Sequence, residues 1–329
     1  METLKLTFVN VGYGEAALVE CPDPAFRGGR FTMLIDGGSA EHAEFADRSS
    51  GRVPLAEYLL DRGLDHIDCM VGTHIHEDHT CGLLPVAERL APGVFWQNLP
   101  RDFYRTVMRP LEESAAQNPS QSKFLRALND YQKLCGTVTA HGGAIRTMRA
   151  GEEGELCQGL RFRVLAAGNG ELTELCRGLF AETDPAAFLK KLSALDARMN
   201  NFSLMLRLEY RGTRILLPGD TNCLGYGGLP PEELRAKLFK VGHHGQRDGV
   251  TEALMKAIRP EAVVCCASSD RRYESAHPGT LGMIARSGAH LYFSDCPRLP
   301  GLTDGLAPHR ALEFTVGAEG SLSARYLSE

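Results

Sequence analysis

The chain has 329 residues, 43% hydrophobic and 23% charged, the balance of an ordinary globular protein with room for one large domain or two smaller ones. A formal net charge of −5 with His neutral provides no overall basic field, which weighs against a nonspecific DNA binder and leaves open only a local basic groove. The start, Met1 to Phe8, goes directly into strand-like alternation without a charged leader. No apolar run approaches the ~20 residues of a membrane-spanning helix. Ten Cys are scattered with no C-x-x-C pair, so the expectation is a cytoplasmic protein with reduced thiols and no membrane contact.

In chain order, Leu4 to Asn10 alternates and predicts a strand, with Leu4, Leu6 and Phe8 on one face. Gly12-Tyr13-Gly14 predicts a tight turn. Ala16 to Cys21 and Phe31 to Ile35 predict two more strands, the latter ending at Asp36-Gly37-Gly38. Leu55 to Arg62 reads as a short amphipathic helix and Ile67 to Gly72 as a strand. Leu83 to Leu90 is helical and Phe95 to Leu99 a strand. Arg101 to Leu134 is mostly helical, an excursion of the kind that often covers an active site. Ile145 to Met148 and Glu155 to Ala166 predict strands, and Asn169 to Arg198 a second helical stretch with Pro185 near a helix start. Strands follow at Phe202 to Tyr210, Arg214 to Leu217, Leu238 to Val241, Ala262 to Cys266, Ala289 to Phe293 and, last, Ala311 to Val316. Helices are expected at Leu229 to Lys237, Thr251 to Ile258 and Leu281 to Ser287. Polar residues recur at strand ends: Asp36, His74, Asp220, His243 and His277. This predicts a site along one edge of layered sheets, with helices outside.

The densest chemistry is His74-Ile75-His76-Glu77-Asp78-His79, between an apolar strand and an apolar helix. His74 and His76, two apart in a turning or extended backbone, place their imidazoles on one side. Three imidazoles and a carboxylate within six positions are ligands that zinc, manganese and iron prefer. A His-rich surface loop is the plain alternative, and the flanking apolar elements favour the metal reading.

Asp36, the His74-x-His76-x-Asp78-His79 run, Gly219-Asp220 and His243 stand in the order of the metallo-β-lactamase superfamily. More narrowly, Phe8-Val9-Asn10-Val11-Gly12, Leu34-Ile35-Asp36-Gly37-Gly38, Ile215-Leu216-Leu217-Pro218-Gly219-Asp220 and Lys240-Val241-Gly242-His243-His244-Gly245 resemble the soluble hydrolase domain of ComEC-type competence proteins. The resemblance implies an α/β (α+β) chain, a four-layer αββα sandwich formed as a single domain over 1–329, with helical insertions at about 101–134 and 169–198. It also implies two divalent metal ions, zinc first, with manganese or iron as alternatives. His74 and His76 would bind one ion, Asp78, His79 and His243 the other, and Asp220, with two oxygens, would bridge them. Asp36 would orient the His loop through hydrogen bonds. Many members carry a third His about twenty residues before the bridging Asp. Here that region reads Met199-Asn200-Asn201-Phe202-Ser203, with Asn201 expected to support the site. Asn is a poor zinc ligand but an acceptable oxygen ligand for harder ions such as manganese.

Asp78, His244 and His277 are expected nearest the reacting group, with the reverse assignment, His244 as ligand and His243 toward substrate, as the alternative. His277 is read as an oxyanion contact or proton donor, with a helix-initiating His beside Pro278 as the plain alternative. Arg271, Arg272 and Tyr273 are read as contacts for an anionic substrate, with a solvated charged loop as the plain alternative for each Arg. The function this implies is hydrolysis by a metal-bound hydroxide, on a phosphodiester or related phosphoryl bond. The alternatives are an acyl hydrolase (lactonase, thioesterase or β-lactamase-like) and a non-hydrolytic metal scaffold or binding module. The partner expected is a small-molecule or nucleotide-type anionic substrate, with no membrane and no strong nucleic-acid signal.

Overall fold

The computed structural model describes residues 3–328. The first half contributes β1 (Leu4–Val9), β2 (Ala17–Pro22), β3 (Arg30–Ile35), β4 (Cys69–Val71), β5 (Val94–Gln97) and β6 (Ala144–Thr147). Its helices are α1 (Leu55–Asp61), α2 (Glu77–Thr80), α3 (Leu83–Leu90), α4 (Phe103–Thr106) and α5 (Pro119–Ala140). The second half adds β7 (Glu153–Cys157), β8 (Leu160–Ala166), β9 (Met205–Tyr210), β10 (Thr213–Leu217), β11 (Leu238–Lys240), β12 (Ala262–Cys265) and β13 (His290–Phe293). Between these lie α6 (Asn169–Phe180), α7 (Pro185–Asp196), α8 (Pro231–Leu234), α9 (Glu252–Ile258) and α10 (Pro278–Arg286), and β14 (Ala311–Val316) and β15 (Leu322–Leu327) follow. The strands form two sheets, ordered β15-β14-β1-β2-β3-β4-β5-β6 and β13-β12-β11-β10-β9-β8-β7.

Period-two alternation makes the layers. Leu4, Leu6, Phe8, Val19 and Ile35 of the first sheet meet Leu206, Leu208, Ile215 and Val264 of the second in a shared core. The opposite face of the first sheet, with Leu18, Leu34 and Met70, is covered by Leu59 of α1, Val86 of α3 and Leu128 of α5. The outer face of the second, with Leu216, Phe239 and Val263, is covered by Met255 and Ile258 of α9 and Leu281 and Ile284 of α10. Helix, sheet, sheet, helix is the four-layer order expected. Among the described residues no helix is long and apolar enough to cross a membrane, and no cysteine forms a disulfide.

Several elements differ in extent. α5 runs past Leu134 to Ala140 because Cys135 and Val138 continue its buried stripe. The stretch from Asn169 is two helices, and the second is capped by Asp184, which accepts from Ala187 N at 2.8 Å ahead of Pro185. The helix expected over Leu229 to Lys237 shrinks to Pro231–Leu234, since Lys237 N already donates to Arg214 O at 2.8 Å on the way into β11. Glu155 to Ala166 is a hairpin of β7 and β8. Ala311 to Val316 is not the last strand: β15 lies at the sheet edge, with Leu322, Ala324 and Tyr326 against the core and Ser323 and Arg325 outward.

Site placement follows from parallel pairing. β3, β4, β5 and β6 run parallel, as do β10, β11, β12 and β13. Their C-terminal ends therefore release Asp36, the His loop, Asp220 and the His243-His244 turn together, the position where open parallel sheets bind ligands. The His loop is clamped at Gly82, whose N donates to Gly38 O at 2.9 Å. A Cβ at Gly82 would lie 1.9 Å from Gly37 O. Gly82→Ala is expected to cost at least about 2 kcal/mol by overpacking against backbone, read by urea unfolding; a change below about 0.5 kcal/mol, the size of a neutral surface substitution, would contradict this close approach.

Candidate metal centre

The His loop leaves β4 through Thr73, which Asp36 captures. Asp36 accepts from Thr73 N at 2.8 Å and from the Thr73 hydroxyl at 2.6 Å, and its Oδ2 lies 2.7 Å from His79 Nδ1. Asp36, His74 and His79 are close enough to form a ligand trio, but both Asp36 oxygens are already engaged. Asp36 therefore orients His79, leaving Nε2 to face inward.

Four buried atoms converge there. His244 Nε2 is 2.8 Å from Asp220 Oδ2 and 3.0 Å from Asp78 Oδ2. His79 Nε2 is 3.3 Å from Asp220 Oδ2, 3.8 Å from Asp78 Oδ2 and 3.4 Å from His244 Nε2. Asp78, His79, Asp220 and His244 form one group able to hold a metal ion. His244 Nδ1 is 2.7 Å from Cys266 O, so Nδ1 carries the hydrogen and Nε2 presents its lone pair to the cluster. Two imidazole nitrogens and two carboxylate oxygens fit a divalent ion such as zinc.

His244 takes the place expected for His243. The turn after β11 holds His243 and His244 at φ 48° and 49°, and successive side chains leave it in different directions. His243 Nδ1 pairs with Asp248 Oδ1 at 2.7 Å, and the ring is partly exposed on the cavity wall. Cys223 is outside the cluster, its Sγ 2.7 Å from Asp248 O.

The electrostatics favour a cation at this point. Burial opposes charge on His244, yet Asp220 and Asp78 raise its pKa to about 9. Burial likewise opposes charge on His79, but Asp220, Asp36 and Asp78 push its pKa well up. Asp220 moves down despite burial, drawn by His244 and Lys240. Lys240 is fully buried, a residue whose role the sequence reading did not identify. Its Nζ donates to Asp220 Oδ1 and to Gly219 O, each at 2.9 Å, and pairs with buried Glu15. Asp220 Oδ1 is thereby occupied and only Oδ2 faces the cluster, whereas the sequence reading left both oxygens free for metal. The signal available was a lysine inside the apolar stretch Leu238-Phe239-Lys240-Val241, since a buried charge requires a partner.

Beside the cluster, His74 Nε2 lies 3.1 Å from His76 Nδ1. His76 Nε2 is 3.1 Å from Asp196 Oδ1, and Asp196 Oδ2 accepts from Ser120 Oγ at 2.6 Å. The helical excursions thus reach the His loop from α5 and α7. A cavity of about 390 Å³ opens here, lined among others by Tyr13, His76, Lys123, Asp196, Asn200 and Tyr273. Asn200, not Asn201, faces it. Asn200 Oδ1 is buried without a hydrogen-bond partner, whereas Asn201 Oδ1 accepts from Asn222 N at 3.3 Å.

Of the last polar loop, only Tyr273 reaches the cavity. Arg271 turns back to Ser275 O and Ala276 O, and Arg272 pairs with Glu44 and Asp270. His277 caps α10, its Nδ1 accepting from Gly279 N at 3.1 Å, which is the helix-initiation alternative. Tyr13, Lys123 and Asp196 went unread because tertiary packing, not sequence spacing, brings them in. If Asp196 holds His76 in the orientation that frees Nδ1, Asp196→Ala will bind metal about 10- to 100-fold more weakly in competition with a chromogenic chelator. Unchanged retention of every equivalent would contradict that role.

Residues 18–157 match the Metallo-beta-lactamase superfamily. The chain is 22% identical over 300 residues to ComE operon protein 3 of Bacillus subtilis (strain 168), a match covering 88% of this chain and 32% of that protein. It thus spans about a third of that relative's length. Among solved structures it is similar to Igni18, a metallo hydrolase from the hyperthermophilic archaeon Ignicoccus hospitalis KIN4/I, with a TM-score of 0.44 and 13% identity over 94% of this chain and 98% of that one. It is also similar to Zn(2+)-bound PqqB from Methylobacterium extorquens, with a TM-score of 0.44 and 11% identity over 85% of each chain. The matched residues 18–157 include the His74–His79 loop, and the two-sheet sandwich built around them is consistent with the metallo-beta-lactamase fold.

Proposed function

We propose that this protein is a metal-dependent hydrolase of phosphodiesters or related phosphoryl esters, holding two divalent ions and acting in a reducing, cytoplasmic setting. The observation that carries the reading is the convergence of Asp78 Oδ2, Asp220 Oδ2, His79 Nε2 and His244 Nε2 at the floor of the cavity. The second ion falls to His74 and His76, with the unpartnered Asn200 oxygen facing the same space. Bound there, the two ions would supply Lewis-acid polarisation and an acidified water.

The chain's own residues set the rest. Asp36 and Cys266 O fix the tautomers of His79 and His244. Lys240 neutralises part of Asp220 so that the carboxylate stays ionised while buried. Lys123 of α5 brings a cation to the cavity wall, 3.8 Å from Glu77, where it can shift toward an anionic oxygen. Two features support phosphoryl over acyl substrates: the Lys123 ammonium among the cavity's carboxylates, and an amide oxygen where a nitrogen ligand would otherwise stand, which suits harder ions.

The test compares bis(p-nitrophenyl) phosphate with p-nitrophenyl acetate on protein reconstituted with zinc or manganese. Phosphodiester turnover is expected to vanish on chelation and in Asp220→Asn. Asp220-dependent turnover confined to the acetate would replace this reading with the acyl one. Lys123→Met should raise KM for the phosphodiester about tenfold, the worth of one hydrogen bond to a charged group, and affect kcat less; an unaltered KM would remove Lys123 from substrate binding.

A further inference from the structure

The cavity has an aromatic wall that the metal chemistry does not use. The Tyr13 ring centroid lies 4.8 Å from that of His244 and 5.3 Å from that of Tyr273. The three rings run from the metal cluster to solvent. Tyr13 is buried, while Tyr273 is 59% exposed, a large ring left open at the mouth of a polar site. Elsewhere on the mouth are Ser120 and Lys123 of α5.

The backbone under Tyr273 is strained. Arg271, Tyr273, Glu274 and Ala276 all have left-handed φ, at 52°, 54°, 59° and 49°, a conformation costing about 1–3 kcal/mol at each non-glycine residue. The loop is held in it from both ends. Arg272 is fastened to Glu44 and Asp270, and its guanidinium lies 5.7 Å from the Tyr13 ring centroid. Ala276 N donates to His244 O at 3.0 Å, and His277 N to Gly245 O at 2.8 Å. The turn that delivers a metal ligand thus also fixes the loop that displays Tyr273. Strain maintained in order to expose an aromatic face beside a reactive centre requires something for that face to meet.

We propose that Tyr13 and Tyr273 form a stacking platform for a planar, nucleobase-like ring carried by the substrate on the non-leaving side of its phosphodiester. This rests on the phosphodiesterase reading above. The ring would lie on Tyr273, with the phosphate between Lys123 and the Asp78–Asp220 cluster. The platform sets which phosphodiesters are accepted, since ring stacking is indifferent to base identity but excludes alkyl esters from its benefit.

The test uses two substrates with one leaving group: the p-nitrophenyl ester of thymidine 5′-phosphate and methyl p-nitrophenyl phosphate. Wild type should favour the thymidine ester in kcat/KM. In Tyr273→Ala that preference should fall about tenfold, mainly through KM, and in Tyr273→Phe it should survive, because a ring is retained. Binding is read separately, as quenching of tyrosine fluorescence by thymidine 5′-phosphate against ribose 5-phosphate. The thymidine compound should bind tighter, and Tyr273→Ala should remove the difference. No thymidine preference in wild type, or equal loss on both esters in Tyr273→Ala, overturns the platform while leaving the hydrolytic reading standing. Ring-dependent binding without cleavage of either ester overturns the hydrolytic reading and supports the platform. Comparing a thymidine dinucleotide with a ten-residue oligothymidylate then identifies the source of the ring: tighter binding of the oligomer means single-stranded nucleic acid, and equal binding means a small nucleotide.

Discussion

Everything at the strand-end edge depends on how four buried carboxylates are balanced. Glu15, Asp36, Asp78 and Asp220 lie close together with little solvent access. Burying one unpaired carboxylate costs several kcal/mol. Lys240 compensates Glu15 and one oxygen of Asp220, and Asp36 is satisfied by Thr73 and His79. What remains is Asp78 Oδ2 and Asp220 Oδ2, aimed at one point between two imidazoles. In the absence of a metal, protons on His79 and His244 answer that field, which is why both are drawn above the ordinary histidine range. A divalent ion answers it with more charge and with geometry the four donors already approximate. The candidate metal site thus coincides with a charge problem created by stacking parallel strand ends.

The sequence revealed this arrangement to the extent that it depended on local spacing. Asp36, Asp220 and the His74–His79 run sit at strand ends, and period-two alternation locates strand ends well. The choice between His243 and His244 was beyond it, because left-handed φ at both residues decides which ring turns inward, and no side-chain pattern encodes that. Asn200 and Asn201 pose the same difficulty in a single turn of 3-10 helix. Asp196 reaches His76 from 120 positions away, through helix packing. Lys240 was visible as an anomaly, a charge in a buried strand, whose partner only the tertiary structure could name. β15 escaped because an edge strand with small and charged residues on its outer face presents a weak pattern.

The helical excursions are more than a cover. α5 delivers Ser120 and Lys123 to the cavity and α7 delivers Asp196, so the segments outside the sheets supply the residues that hold His76 and line the cavity. The two clusters of histidines are therefore supported differently. The Asp78–His79–Asp220–His244 group is built on strand ends and surrounded by core. The His74–His76 group depends on a carboxylate at the last residue of a helix, tied down by one hydroxyl. The second arrangement is easier to alter without disturbing the fold.

The cluster and the loop beside it meet at His244. Its ring belongs to the cluster, its Nδ1 is held by Cys266 O from the end of β12, its carbonyl anchors Ala276, and its ring lies tilted against Tyr13. A shift of the His244 turn would move a metal donor, the strained 271–276 loop and the aromatic wall together. Loops on this edge are consequently free to vary only where they avoid that turn, and the Tyr273 tip is such a place: it projects from a scaffold whose attachment points are all main-chain hydrogen bonds or arginine pairs set back from the cavity. A different side chain displayed there would leave Asp78, His79, Asp220 and His244 in their places, because none of their contacts runs through the Tyr273 ring.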